Sequence, residues 1–463
     1  MQKEISMLKN SLITLLLVCT VCIAYSQNPT FKIDGTALTN GAVTVDATGY
    51  YFNRFFLSYP NVTVISNSNM LTALAGNSTI PINRFTAAVI RNSTVGRSVT
   101  LNMTEQAITG SALGLNRFAS GAFSVRYKTS NLSAFAWQAG DYSTSLSYST
   151  SEAGFGISVT PDYVRLNVTV SPVMNILLAA SDINLSVNSL DFFRNTALSI
   201  NQNSSYLHTV PLLISLKSAS SQFTFTGGQS GLQVPKTNVN LVQTSVQSPV
   251  SNSPIFIGGT FQPVYSGDVP VGNTTQPVEQ FVISPANLET GFVNKGIYST
   301  VLNLEVKDHS GVFSSVTYNK SFNLKITVGD LSELGINTTN VDLKFTTAEN
   351  YKNGVAVDVN NQLIVSKTLP FDLTVKSSGV NFVSGTNIIP ISILSIGPAD
   401  GQGGVNTISS ITTQDQKLID TGSAGIDTPV SLRYSIPASQ TKNLLNKKAG
   451  IYTTDVVYTL TTH

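Results

Sequence analysis

The hydrophobic residues of this chain recur at every second position in short runs, and turn-forming residues separate the runs. Val62–Ile65, Tyr163–Val170 and Ser321–Val328 all alternate in this way. Clusters of Gly, Asn and Ser interrupt the runs, and no long window follows the 3.6-residue period of an amphipathic helix. Alternation places one face of each strand against a core. The pattern therefore predicts an all-β protein built from antiparallel, Ig-like or pilin-like β-sandwiches.

One motif that leads into an alternating strand occurs three times. Gly140–Thr144, Gly296–Thr300 and Gly450–Thr454 all read Gly-x-Tyr-[Ser/Thr]-Thr, and their tyrosines lie 156 and 154 residues apart. A fixed period of this length indicates that one unit is repeated along the chain.

A second marker keeps the same period independently. Pro81, Pro235 and Pro390 each follow a glycine-containing turn, and they lie 154 and 155 residues apart. Together the two markers predict three β-sandwich repeats, over residues 27–151, 152–310 and 311–463. No charged or Pro-rich linker separates them, so we expect short junctions and a fairly stiff rod.

The N-terminus has the features of a secretory signal peptide. Lys3 and Lys9 precede the apolar run Leu12–Ala24, and small residues at Ala24 and Ser26 favour cleavage before Gln27. We therefore predict a signal peptide over residues 1–26 and a secreted protein without a transmembrane segment in the mature chain. The expected location is extracellular or the bacterial cell surface, with the periplasm as the alternative.

The Gly-x-Tyr motif has a structural interpretation. In β-sandwiches, a tyrosine at the start of a late strand often returns its hydroxyl to the backbone of the preceding loop. The neighbouring glycine allows a positive φ or a close backbone approach. We interpret the motif as a fold-locking corner, with stacking on a ligand as the alternative role. The predicted corner residues are Gly140, Tyr142, Gly296, Tyr298, Gly450 and Tyr452.

The run Gly450–Leu460 resembles the final strand of bacterial pilin-type β-sandwiches, such as spore coat U-like and other chaperone–usher subunits. The resemblance implies a fimbria-type subunit. This chain differs because it carries three units and because both its cysteines, Cys19 and Cys22, fall in the predicted signal peptide. The mature chain therefore has no disulfide and depends on core packing.

Composition narrows the function further. Charged residues make up only 11% of the chain and the net charge is +2, so no basic surface is available for nucleic acid. The histidines, His208, His309 and His463, occupy unrelated positions, and no metal, cofactor or nucleophile motif occurs. We predict no catalytic, cofactor-binding or metal-binding residues and a non-enzymatic protein.

An unusually aromatic stretch follows the second predicted strand of the first repeat. Exposed aromatic groups commonly mark interaction sites. We therefore take this stretch as a candidate interaction patch, with a glycan as one class of ligand. Its residues are Tyr50, Tyr51, Phe52, Phe55 and Phe56.

The strand that follows the third Gly-x-Tyr motif suggests how the protein could assemble. In repeats one and two this strand is followed by further β-like runs, Phe155–Val159 and Val312–Thr317, which could complete the sandwich. In repeat three an open edge could accept a strand from another copy or from another surface protein. The alternative is that each sandwich closes itself.

The leading hypothesis is a secreted structural or adhesive protein of the cell surface, as a fimbria-type or surface-layer component. The rival is a secreted array of carbohydrate-binding modules that captures glycans. An open edge in repeat three with buried aromatic residues would favour the first, and exposed aromatic residues aligned along the rod would favour the second.

Overall fold

The computed structural model describes residues 28–53, 61–109, 120–151, 156–178, 182–227, 234–248, 252–266 and 278–463. The predicted signal peptide lies outside them. Most of the described residues lie in antiparallel strands, which confirms the all-β prediction. Within these ranges, no helix has the length and apolar character needed to cross a membrane.

Unit one encloses a core of side chains that runs from Phe31 to Val170. One of its sheets has the order β1-β13-β11-β3-β9 and the other the order β12-β2-β10-β6-β7. Its elements are β1 Thr30–Ile33, α1 Gly35–Asn40, β2 Ala42–Asn53, β3 Val62–Ser66, β4 Met70–Ala73, β5 Thr79–Pro81, β6 Phe85–Arg91, β7 Thr94–Val95, β8 Val99–Thr100, β9 Gln106–Ala107, β10 Gly121–Ser130, β11 Gly140–Thr150, β12 Ser158–Thr160 and β13 Tyr163–Val170, with 3-10 turns at Ile82–Arg84 and Leu132–Ala134.

Unit two encloses a second core, from Ile176 to Val328. Its sheets have the orders β15-β24-β23-β17-β21 and β14-β16-β22-β19-β20. Its elements are β14 Met174–Leu178, β15 Asp182–Val187, α2 Asp191–Arg194, β16 Leu198–His208, β17 Leu212–Ser218, β18 Thr224–Thr226, β19 Gln243–Ser248, β20 Ile255–Phe256, β21 Gln262–Ser266, β22 Val278–Ile283, α3 Pro285–Gly291, β23 Gly296–Asp308 and β24 Thr317–Val328, with a 3-10 turn at Val239–Leu241.

Unit three has a main core between Leu363 and Tyr434 and a small separate cluster around Ile389, Ile393 and Ile436. Its main sheets have the orders β25-β26-β32-β30 and β31-β27-β33. Its elements are β25 Ser332–Ile336, α4 Ala348–Asn353, β26 Gly354–Lys367, β27 Phe371–Ser377, β28 Asn381–Ser384, β29 Asn387–Pro390, β30 Ser395–Pro398, β31 Gln416–Gly422, β32 Gly425–Pro437 and β33 Val456–Thr462, with 3-10 turns at Ile391–Ile393 and Ala438–Leu444.

The units share a cross-strand pair that holds two strands of one sheet in register. In units one and three an arginine donates two hydrogen bonds of 2.6–2.7 Å to an aspartate. Unit two has a single amide–amide bond of 3.1 Å at the same place. The repeated register explains why the sequence period is so regular. The pairs are Arg126–Asp46, Gln280–Asn201 and Arg433–Asp358.

The sequence boundaries at 151 and 310 separate two units from their last strand. β13 and β24 alternate cleanly, and the predicted boundaries place them near the start of repeats two and three. Instead they hydrogen-bond along β11 and β23 and pack into the preceding core. Alternation identifies a strand, but it does not indicate which neighbouring sheet has room for it.

The shorter runs that were expected to complete the first two sandwiches lie elsewhere. The run Phe155–Val159 begins outside the described residues. Its last two residues lie in β12, which pairs with β2 and so belongs to the opposite sheet. The residues before Thr317 form a turn that leads into β24. Each sandwich is therefore closed by the longer strand that follows the predicted one.

Candidate functional site: an uncovered slot in unit three

The last strand of unit three differs from its counterparts in the number of its neighbours. β11 lies between β13 and β3, and β23 lies between β24 and β17. β33 pairs with β27, from Thr462 opposite Phe371 to Val456 opposite Ser377, and with no other strand of the described residues. One edge of β33 therefore presents backbone N–H and C=O groups to which no strand is bonded.

The missing neighbour also shortens β33. β11 and β23 begin at Gly140 and Gly296, whereas β33 begins at Val456, well after Gly450. Between Gly450 and Val456 the chain makes one isolated bridge, from Thr453 to Val383. In units one and two, β13 and β24 hold this half of the strand in place. The predicted strand over Gly450–Leu460 is therefore formed only in its second half.

A second unpaired segment lies before the short helix of unit three. In unit three Val341–Phe345 precedes α4, just as β1 precedes α1 and β15 precedes α2. β1 and β15 pair in parallel with β13 and β24, but Val341–Phe345 forms no regular structure. Its side chains still alternate, with Asp342 and Lys344 exposed and the apolar residues half-buried. The segment has the pattern of a strand that lacks its partner.

We call the region bounded by Val341–Phe345 and β33 the slot. The same two positions flank β13 in unit one and β24 in unit two. The apolar side chains at the slot are less covered than their counterparts. Leu146 and Leu302 are both 0% exposed, whereas Val456, which stands at the same register position, is only half-buried. A strand in the slot would cover this surface.

The tyrosine of each Gly-x-Tyr motif makes the same hydrogen bond. Each hydroxyl donates to the backbone carbonyl four residues earlier. This bond holds the loop before the strand against the tyrosine side chain. Tyr142 and Tyr298 are buried, while Tyr452 is only half-buried. The pairs are Tyr142–Gln138 (2.8 Å), Tyr298–Asn294 (3.2 Å) and Tyr452–Lys448 (2.8 Å).

The corner glycines are not equivalent. Gly140 and Gly296 have φ of +149° and +150°, values that side-chain-bearing residues rarely adopt. At Gly296 an added Cβ would also lie 2.5 Å from the Phe225 ring. Gly450 does not share this backbone conformation. The difference follows from strand pairing, because Gly140 and Gly296 lie opposite Val170 and Val328 in a sheet while Gly450 lies outside any strand.

Among the described residues, the members of the predicted aromatic patch do not share one exposed surface. Tyr50 and Phe52 are 1% and 0% exposed and lie in the core of unit one, whereas Tyr51 is 50% exposed. Phe55 and Phe56 lie outside the described residues. The prediction treated consecutive aromatic residues as one face, but β2 points alternate side chains to opposite sides of the sheet.

One acidic side chain lies inside the core of unit two. Glu279 on β22 accepts hydrogen bonds from the hydroxyls of Ser204 (2.7 Å) and Tyr206 (2.8 Å). Burial raises the pKa of Glu279 above its ordinary value, although both hydroxyls act in the opposite direction. These contacts satisfy the carboxyl inside the protein, which indicates a structural role.

The titration of Glu279 should make the stability of unit two depend on pH. Its pKa is higher in the folded chain, so its stabilising contribution is complete below the ordinary value of 4.5 and is lost as pH rises through the raised value. We expect the free energy of unfolding of unit two to decrease with rising pH in this range. Glu279→Gln should remove that slope in denaturant titrations, whereas Glu289→Gln, on the exposed end of α3, should retain it. An unchanged slope in Glu279→Gln would contradict this assignment.

A second cluster of titratable groups lies at the end of β33. Ligand atoms of Asp372, Asp420 and His463 all lie within 4.8 Å of one another. The ammonium of Lys417 donates to Asp420 (2.7 Å) and lies 3.1 Å from an Asp372 oxygen. The single positive charge of Lys417 thus already offsets part of the negative charge of the two carboxylates. These ion pairs hold β31 against β27. We do not assign a metal site to this cluster.

No protein-family model and no curated protein matches this chain. Solved structures resemble it weakly. CfaE, the adhesive subunit of CFA/I fimbria of enterotoxigenic Escherichia coli, has a TM-score of 0.27 at 9% identity, over 66% of this chain and 99% of that chain. The CsuC–CsuE chaperone–tip adhesion subunit complex of Acinetobacter baumannii Csu pili gives 0.31 at 13% identity, over 62% and 99%.

A family 123 glycoside hydrolase of Clostridium perfringens is also similar, with a TM-score of 0.19 at 11% identity, over 34% of this chain and 27% of that chain. At these values the similarity is confined to a β-rich fold.

Proposed function

We propose that this chain is a secreted structural or adhesive protein of the cell surface, whose third sandwich is completed by a strand from another molecule. One observation carries the proposal. β33 has a bonded strand on one side only within the described part of the chain, whereas β11 and β23 have one on each side.

The physical basis is the exposed edge together with the half-covered core behind it. A strand that entered the slot would bond to the free edge of β33 and bury the apolar side chains beside it. Addition of a strand to an open sheet edge is a general mode of protein recognition, in which backbone bonds give affinity and side-chain pockets give specificity. Uncovered edges are otherwise an aggregation liability.

Units one and two indicate the direction and the apolar pattern that the incoming strand should have. β13 and β24 fill the equivalent places with apolar residues at alternate positions that point into the core. In β24 the residues Leu324 and Ile326 are 0% exposed and lie opposite Thr300 and Tyr298. A strand for unit three should run antiparallel to β33 and place apolar residues opposite Thr454 and Tyr452.

The rival function, a carbohydrate-binding array, has less support. Sugar binding by stacking requires exposed aromatic rings, but the single tryptophan, Trp137, is 0% exposed. Tyr50 and Phe52 are also in the core, and Tyr51 is the exposed member of the described aromatic stretch. Other exposed aromatic residues occur at Tyr163, Phe256 and Phe261, on separate strands or loops. The preference for assembly therefore rests on the open edge of β33.

A peptide of residues 317–328, the sequence of β24, tests strand acceptance directly. We expect it to bind the full chain with a stoichiometry of one, because the equivalent places in units one and two are already filled. Titration calorimetry would measure the binding. If the full chain self-associates through the slot, light scattering should show that the peptide dissociates the assemblies.

The matched control is the same peptide carrying L324S and I326S. It keeps the backbone and the length but loses the two apolar residues that would enter the core, so its binding should fall by at least tenfold. Equal binding of both peptides, or binding of neither, would contradict a slot shaped for a strand.

A further inference from the structure

The two junctions between units contain the same buried threonine. Thr209 and Thr368 each begin a Thr-x-Pro turn, at Thr209–Pro211 and Thr368–Pro370, and each is 0% exposed. A buried hydroxyl without a partner would be costly, so its bonds indicate what the residue does.

Each threonine binds the linker that joins its unit to the preceding one. The Thr209 hydroxyl donates to the carbonyl of Ser171 (2.8 Å) and accepts from the N–H of Val173 (2.7 Å). The Thr209 N–H donates to the Val173 carbonyl (3.0 Å). Three bonds from one residue therefore fix a linker of three residues.

The second junction repeats this arrangement. The Thr368 hydroxyl donates to the carbonyl of Gly329 (2.8 Å) and accepts from the N–H of Leu331 (2.9 Å), and the Thr368 N–H donates to the Leu331 carbonyl (3.1 Å). The two junctions have different linker sequences but make the same hydrogen bonds. The bonded junction is therefore a recurring structural feature of the repeat.

The same threonines also bind the corner of the preceding unit. The Thr209 carbonyl accepts from the N–H of Ala139 (2.7 Å), and the Thr368 carbonyl accepts from the N–H of Lys295 (2.8 Å). Ala139 and Lys295 are the residues immediately before Gly140 and Gly296. Each junction thus connects a Gly-x-Tyr corner to the Thr-x-Pro turn of the next unit.

The strands that close units one and two, β13 and β24, both end at the Gly-x-Tyr corner, so the next unit begins beside that corner. β13 ends with Val170 opposite Gly140, and β24 ends with Val328 opposite Gly296. The three-residue linker then begins at the corner itself. Any sandwich that follows a slot-filling strand by a linker of this length is brought against the corner of the completed unit.

Unit three has the corner but no unit against it in the described chain. Tyr452 keeps its bond to the Lys448 carbonyl, so the corner is formed. Ala449 occupies the position of Ala139 and Lys295 and is exposed, and no bond of this kind from its N–H is found among the described residues.

We propose that Ala449–Tyr452 is an end-on docking site for a further β-sandwich unit, which binds through the carbonyl of a buried Thr-x-Pro threonine. This inference rests on the proposed function, because the strand in the slot is what brings the unit there. The partner is thus a strand, a linker of three residues and a sandwich of the kind of units two and three, carried by another molecule.

Two extended forms of the full chain test the inference. The first carries a copy of residues 309–328 after His463, which supplies a strand alone. The second carries a copy of residues 309–463, which supplies the strand, the linker and a unit with its own Thr-x-Pro turn. Hydrogen exchange of the Ala449 amide is the readout, with Ala139 and Lys295 in the same molecule as internal references.

We expect the Ala449 amide to exchange rapidly in the first form and to be protected by at least tenfold more in the second. Changing the copied threonine, as T368V in the copy only, should reduce that protection, because valine keeps the shape but loses the hydroxyl that fixes the linker. Protected β33 amides with an unprotected Ala449 in the second form would overturn the docking site alone. Unprotected β33 amides in both forms would overturn the proposed function as well.

Discussion

A copy of residues 309–328 placed after His463 should stabilise unit three strongly. The copied β24 would fill the slot and bury apolar side chains on both sides of it. Burial of two aliphatic side chains alone contributes about 3–6 kcal/mol, part of which offsets the ordering of the new strand. We expect the melting temperature of unit three to rise by on the order of 10 °C in calorimetry.

The control for this experiment is the same extension with L324S and I326S in the copied strand. It adds the same length of chain but cannot fill the core, so it should leave the transition of unit three close to that of the parent. An equal shift from both extensions would mean that the slot does not select an apolar strand.

The second large effect is a difference in stability loss when a leucine at the same position in units two and three is replaced by alanine. Leu185 on β15 is 2% exposed, so Leu185→Ala should leave a cavity and lower the free energy of unfolding of unit two by about 2–5 kcal/mol. Leu343 holds the corresponding position beside the slot and is half-buried. Leu343→Ala should cost unit three only about 1 kcal/mol, because less surface is returned to water.

The same pair gives a further check in the extended chain. Once the copied β24 fills the slot, Leu343 should be buried as Leu185 is, and the cost of Leu343→Ala should rise towards that of Leu185→Ala. Equal costs of the two substitutions in the parent chain would show that unit three is already closed.

Much of the architecture could be predicted because the strands and corners of this fold each have a local sequence pattern. Two-residue alternation identified the strands, and the Tyr142, Tyr298 and Tyr452 motifs gave the repeat, since each occupies the same corner.

The misplaced features depend on contacts between distant parts of the chain. β13 and β24 have the pattern of any buried strand, and only the pairing with β11 and β23 assigns them to the preceding unit. Tyr50 and Phe52 were grouped with Tyr51 although alternation alone would have separated them.

Two structural features lie outside the sequence predictions, although the sequence carries a signal for each. Val341–Phe345 alternates as Asp182–Val187 does, one period earlier, which could have identified the second side of the slot. Thr209 and Thr368 both stand two residues before a proline, but their role depends on linker carbonyls whose position no local pattern reveals.

Hydrogen exchange on the unmodified full chain tests the open slot most directly, at a concentration where light scattering finds a monomer. In an antiparallel sheet, successive amides of a strand point to opposite neighbours. We predict that β23 is protected at consecutive residues from Leu302 to Lys307, where β24 and β17 flank it, whereas β33 is protected only at alternate residues, those bonded to β27. Protection of consecutive β33 amides to the level of β23 would contradict it, because a second strand would then already cover that edge.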